Sequence, residues 1–314
     1  MIAPAPLAPA ARLLMQAGVV VLCVLCLACA RGAEAQVAGV VETSTTRVVP
    51  SGQSVEVVLF APDAPEEGPL PVLILSHGFA RSPGRHAGTA RWLAARGFLV
   101  VTPASPGWFQ GDAQQQNIDA LVDHARWIVA RGSTPGDALE GRVDASRLAL
   151  AGHSAGGAVS IEAAAALAEE GAIVPAAVVL LDGVPWPRTL DAAPAFPPIP
   201  LASLRAEPSS CNNSGEIVDF LEVLPFPQED VRVVGSNHCD QENPSDFLCG
   251  LACGAASSAR QERFRDLLHR FLLDSMGVAA AEPTPSYVES LDALEAQGLA
   301  ARQLLSGWQA YRAP

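Results

Sequence analysis

The chain has 314 residues, 49% of them apolar, enough for one large domain or two small ones around a substantial core. Its formal charge is −13, and every basic side chain apart from histidine is an arginine. The absence of a basic run or an aromatic–basic alternation argues against nucleic acid as a partner. The richness in Ala, Pro and Gly fits a GC-rich bacterial genome.

In chain order, a targeting segment comes first. Arg12 precedes an apolar run from Leu13 to Ala28, broken only by Gln16 and Gly18. Ala33-Glu34-Ala35 then offers a small-residue cleavage site before Gln36, and Ala28-Cys29-Ala30 offers a second. The run is short for a hydrocarbon layer about 30 Å thick. The expectation is therefore a removed export signal over residues 1–35, with a periplasmic or secreted product, rather than a membrane anchor. A lipoprotein attached through Cys29 is the weaker alternative, since Cys26 replaces the Leu usual three residues before it.

Export sets the cysteine arithmetic. Cys23, Cys26 and Cys29 leave with the signal, while Cys211, Cys239, Cys249 and Cys253 stay. In an oxidising compartment four thiols read as two disulfides, with three possible pairings. The rival is a zinc site built from His238, Cys239, Cys249 and Cys253. Export favours the bridges, and neither a metal nor an organic cofactor is expected.

Two β-like runs, Thr45–Val49 and Ser54–Phe60, flank Pro50-Ser51-Gly52 and predict an antiparallel hairpin at a sheet edge. Residues 72–76 are continuously apolar up to Ser76, as in a strand buried on both faces; His77-Gly78-Phe79 follows. A helix carrying Trp92 and Leu93 leads to a strand at 98–102. Ile118, Leu121, Val122, Ala125, Ile128 and Val129 recur at helical spacing. Further strands are expected at 148–152, 176–181, 200–204 and 231–234, and a helix around Phe264–Leu272. Residues 183–200 are too rich in proline for regular structure. Strands alternating with helices predict a doubly wound, mostly parallel α/β sheet with helices on both faces. Residues 36–280 form one domain in this reading, and 281–314 a tail with a helix packed on it.

The chemistry centres on Gly152-His153-Ser154-Ala155-Gly156. A buried strand precedes it and a small-residue helix from Ala155 to about Glu169 follows, the context of a nucleophile elbow. Glycine at both ends avoids collision in so tight a turn, and the Ala155 N–H lies at the helix start, where negative charge is favoured. A serine hydroxyl needs a base and oxyanion donors. Two histidines follow it. His269 sits in a helical pattern and reads as a helix-surface residue, whereas His238 follows a strand directly and is the expected base. Asp182, at the end of the strand after the elbow, is the first choice of acid. Glu207, at the end of the next strand, is the alternative, with Asp219 and Asp240 behind. The N–H of Phe79 is the expected second oxyanion donor beside that of Ala155. His77 and His153 read as loop-fixing, and His86 and His124 have no partner pattern. Trp108, Phe109 and Trp186 are candidates for an apolar substrate pocket.

Val72–Phe79, the Gly152–Gly157 elbow, the strand end at Asp182 and His238 resemble the α/β-hydrolase superfamily. The similarity is to its chlorophyllase, platelet-activating-factor acetylhydrolase and cutinase-like polyester hydrolase groups, over about residues 45–275. The resemblance implies hydrolysis of carboxylic esters through an acyl-enzyme. It places the acid at the position of Asp182 in the first two groups and near Glu207 in the third. Small-molecule, lipid or polymeric esters with short or medium acyl chains are the expected substrates, with no obligatory protein partner. The same triad could cleave peptides or transfer acyl groups. A non-catalytic binding protein of this fold is the alternative from another class, although such proteins usually lack the serine or the histidine.

Overall fold

The computed structural model describes residues 39–63, 68–107, 112–280 and 283–303. The signal segment with Cys29, and Trp108 and Phe109, lie outside the described residues. The N-terminal hairpin is formed by β1 (Val40–Val48) and β2 (Ser54–Pro62), antiparallel over the full length of both strands. β1 starts earlier than its β-rich stretch indicates, because pairing with β2 extends it through polar residues.

The parallel strands are β3 (Leu70–Ser76), β4 (Leu99–Pro103), β5 (Val143–His153), β6 (Ala177–Leu181), β7 (Leu201–Arg205) and β8 (Glu229–Val233). A last strand, β9 (Ala300–Arg302), lies antiparallel to β8, so the sheet order is β1-β2-β4-β3-β5-β6-β7-β8-β9. The expected doubly wound, mostly parallel sheet with an antiparallel N-terminal edge is what the chain forms. The tail carries a helix packed on the sheet and one element the sequence reading did not expect. Its helix α7 (Tyr287–Ala296) is joined by β9, a three-residue strand too short to carry a period.

Helices cover both faces. Successive side chains of a strand point to opposite faces, so Val72 and Ile74 join one core while Leu73 and Leu75 join the other. The first core is closed by α2 (Ala113–Ser133) and α3 (Ala155–Glu170). The second is closed by α1 (Ala87–Ala94), α6 (Ser258–Met276) and α7. Both faces being covered explains why β3 reads as a continuous apolar run instead of an alternation. His269 departs from its expected place. It lies on the inner face of α6, buried edge-on against Trp92 and Phe98.

Two short helices were not legible as such. α4 (Ile217–Val223) follows the proline-rich segment, and α5 (Phe247–Cys253) lies in the cysteine-rich stretch after His238. The four cysteines close two bridges, Cys211–Cys253 and Cys239–Cys249. The Cys239, Cys249 and Cys253 sulfurs, three of the four ligands of the rival zinc site, lie within 4.8 Å of one another. Each is in a bridge, and a disulfide offers no thiolate to a metal. Among the described residues, no helix is long and apolar enough to cross a membrane.

Candidate active site

The strands deliver the site residues side by side at their carboxyl ends, where ligands bind in open α/β sheets. Ser76 of β3 pairs in register with Gly152 of β5, Gly152 with Leu180 of β6, and Leu181 with Leu204 of β7. The loops that follow, at 77–81, 153–155, 182–184 and 206–212, therefore emerge along one edge.

Ser154 is held in a strained turn. Its φ and ψ are 57° and −126°, a region that L-residues avoid. Hydrogen bonds fix it there: its N–H donates to the Leu181 carbonyl, and its own carbonyl accepts from Gly157 and Val184. The two flanking glycines are sterically required. A Cβ on Gly152 would lie 2.0 Å from the Gly156 carbonyl oxygen, and one on Gly156 would lie 2.6 Å from that of His77. Gly78 is equally constrained, because a Cβ there would sit 2.8 Å from the Ser154 Cβ. The loop carrying the Phe79 N–H thus passes directly over the serine, while Ala155 opens α3 on the other side.

The structure brings His238 and Asp182 together. The His238 Nδ1 donates to Asp182 Oδ2 at 2.6 Å, with both side chains buried. Asp182 is itself anchored. Its Oδ1 accepts from the Ala206 N–H at 2.9 Å, and the Asn212 Nδ2 reaches both carboxylate oxygens at 3.1 and 3.2 Å. A carboxylate so supplied with donors remains an acceptor and fixes the Nδ1–H tautomer, leaving Nε2 as the proton acceptor.

The other carboxylates are placed elsewhere. Glu207 turns away, accepting from the Gly235 N–H and pairing with Arg232. Asp219 is exposed on α4. Asp240 is buried but caps the His238 loop, taking hydrogen bonds from Asn237, Ser257 and Arg260.

Two of the remaining histidines, His77 and His153, fix loops. His77 receives the Ser105 N–H on Nε2 and donates from Nδ1 to the Gly78 carbonyl, tying the loop after β3 to the loop after β4. Burial pushes its imidazole down to about 4, so it stays neutral and keeps that donor–acceptor pattern. His153 donates from Nε2 to the His238 carbonyl at 3.1 Å, its ring 4.5 Å from that of His238. Burial, with the neighbouring His238 second, holds it well below the usual histidine range. His86 packs edge-on against His153, and its ring nitrogens have no hydrogen-bond partner among the described residues.

Sequence reasoning missed three supporting residues. Asn212 is one. Another is the pair of Arg81 and the fully buried Glu242, bidentate at 2.5 and 2.6 Å, which ties the Phe79 loop to the segment after His238. The hydrogen bonds it donates to Glu242 raise the Arg81 guanidinium further above its ordinary value. Asn212 lies 30 residues from Asp182, and Arg81 lies 161 from Glu242. No local spacing could reveal such partners. Pro185, Trp186, Pro187, Leu190, Glu216 and Asp219 are among the residues lining a cleft of about 300 Å³. The Trp186 N–H donates to Thr189 Oγ1, which donates in turn to the buried Glu162 of α3.

A model of the chlorophyllase family matches residues 30–199, more than half of the chain. The matched stretch carries Ser154 and Asp182 and ends before His238. No curated protein matches the chain by sequence. Among solved structures, an esterase of Rhizomucor miehei is similar with a TM-score of 0.56 at 17% identity. That similarity covers 76% of this chain and 84% of the fungal one. The work on it is described as explaining the substrate specificity of two fungal esterases. At this identity the likeness concerns the fold.

Proposed function

The chain belongs to the chlorophyllase family and is a carboxylic ester hydrolase of the α/β-hydrolase type, and from that premise we propose that it acts through a Ser154–His238–Asp182 triad. The observation that carries this reading is the 2.6 Å His238–Asp182 hydrogen bond, set one strand from a strained Ser154.

The serine Oγ attacks the ester carbonyl carbon and gives its proton to His238 Nε2. The N–H groups of Ala155 and Phe79 receive the oxyanion, each worth about 10²–10³-fold in rate. His238 returns the proton to the departing alcohol, leaving an acyl group on Ser154. Water, deprotonated by the same imidazole, then releases the acid. Asp182 holds the imidazole in its working tautomer and balances its transient positive charge. Trp186 lines the cleft of about 300 Å³, and the substrate contacts it there. The substrates are small-molecule, lipid or polymeric esters, and nothing in the site calls for a metal or cofactor. Two disulfides support an exported protein, since such bridges persist in oxidising compartments.

The test is hydrolysis of p-nitrophenyl esters of increasing acyl length by the mature protein and by Ser154→Ala. Hydrolysis that collapses in the variant is expected. An equal rate in both would remove the serine from the mechanism.

A further inference from the structure

The helix α5 is the most exposed apolar element among the described residues. Phe247, Leu248 and Leu251 are 78%, 67% and 73% exposed, and Cys249 is its one buried residue. Three large apolar side chains on seven residues, all facing water, mark a contact surface more than a folding element.

What holds α5 in place is covalent and polar rather than hydrophobic, and each tether ends beside the proposed triad. Cys249 is bonded to Cys239, the neighbour of His238, and Cys253 to Cys211, the neighbour of Asn212. The Asn237 Nδ2 donates to the Ala255 carbonyl just past the helix end. At its start, Asp246 caps the helix and pairs with Arg81, two residues beyond Phe79, which is itself 45% exposed. An occupant of this face is thereby presented to the loops bearing the base, the acid and the oxyanion donor.

Charge selects the occupant. From Phe247 to Arg260 the chain has no charged side chain until Arg260 itself, which is paired with Asp240. Asp246 is neutralised by Arg81 and Arg85. A neutral apolar face on a chain of net charge −13 without lysine is suited to an uncharged surface and unsuited to an anionic bilayer.

We propose that α5 docks the enzyme on the surface of water-insoluble, uncharged lipid ester, and that the two disulfides hold that docking face in fixed register with the catalytic loops. This rests on the triad reading for its catalytic consequence.

The probe is an emulsion of trioctanoylglycerol. Full-length mature protein carrying Ser154→Ala should float with the droplets. Adding F247S, L248S and L251S should lower the bound fraction by about a hundredfold, since three large apolar side chains lose their burial. In the protein with Ser154 intact, the same three substitutions should cut droplet hydrolysis comparably. They should leave p-nitrophenyl butyrate hydrolysis within about twofold, as expected of distant sites. Should the triple variant fail to fold, L248D alone serves, and unchanged flotation of that variant overturns the proposal. Tighter binding to phosphatidylglycerol vesicles or to polyester film than to droplets also overturns it, as does a dimer that the substitutions dissociate. Loss of butyrate hydrolysis in the unmodified protein would instead sink the triad reading, while flotation of the Ser154→Ala protein would still support docking.

Discussion

Asp182 and Ser154 both sit at positive φ, 47° and 57°, on consecutive strand ends, and each is fixed by backbone hydrogen bonds to the next strand. Strain of this kind costs about 1–3 kcal/mol per residue and is kept where function needs the geometry. Ser154→Gly should therefore abolish esterase activity while stabilising the fold by about 1 kcal/mol, read as a raised melting temperature. The proposed acid is tested at the same scale. Asp182→Asn should lower kcat by about 10⁴-fold by fixing the wrong imidazole tautomer, whereas Glu207→Gln should leave it nearly unchanged. Asn212→Ala removes a donor to a charged group, a bond worth about 1.5–3 kcal/mol, and should lower kcat by roughly 10–100-fold. The places of Ser154 and His238, after β5 and β8, were legible as a motif and a strand end. Which carboxylate meets His238 was not, because that depends on which loop folds back across the sheet. Asp182 points toward β7 and His238, while Glu207 is drawn to Arg232 and the Gly235 N–H.

At the level of elements, the parallel strands could be read because burial on both faces makes them uniformly apolar, and the helices because their apolar positions recur with the right period. α4, α5 and β9 escaped because three to seven residues are too few for any period to register. They are held by what lies outside them. β9 pairs with β8, and α5 hangs on two disulfides and a capping aspartate. The loop-closure model makes the bridges unequal. Cys211–Cys253 spans 42 residues and Cys239–Cys249 spans 10. Removal of the first by paired serines should cost about 4 kcal/mol, and of the second about 3 kcal/mol, by urea unfolding. Gly78→Ala should both inactivate and lower the urea unfolding midpoint, since its Cβ would lie 2.8 Å from the Ser154 Cβ, whose backbone is fixed by three hydrogen bonds.

For the molecule as a whole, acid tolerance is set by histidines folded away neutral. Burial pushes His86 down to about 3 and His77 and His269 to about 4, below an unfolded value of about 6.5. Below pH 6.5 the unfolded chain binds protons that the folded chain refuses. Their stabilising contribution is thus complete above that pH and falls as pH drops toward 4, by up to about 1.4 kcal/mol per unit for each group. His86→Leu should flatten the fall between pH 7 and 5 in urea unfolding midpoints, having removed one such group. In the proposed mechanism the whole sheet serves to activate one serine hydroxyl. Intact-mass and peptide mapping after treatment with a fluorophosphonate tests it most directly. A single adduct on Ser154 is expected, formed quickly by the unmodified protein and greatly slowed in His238→Ala. An adduct on another residue, or none on the folded protein, would contradict it.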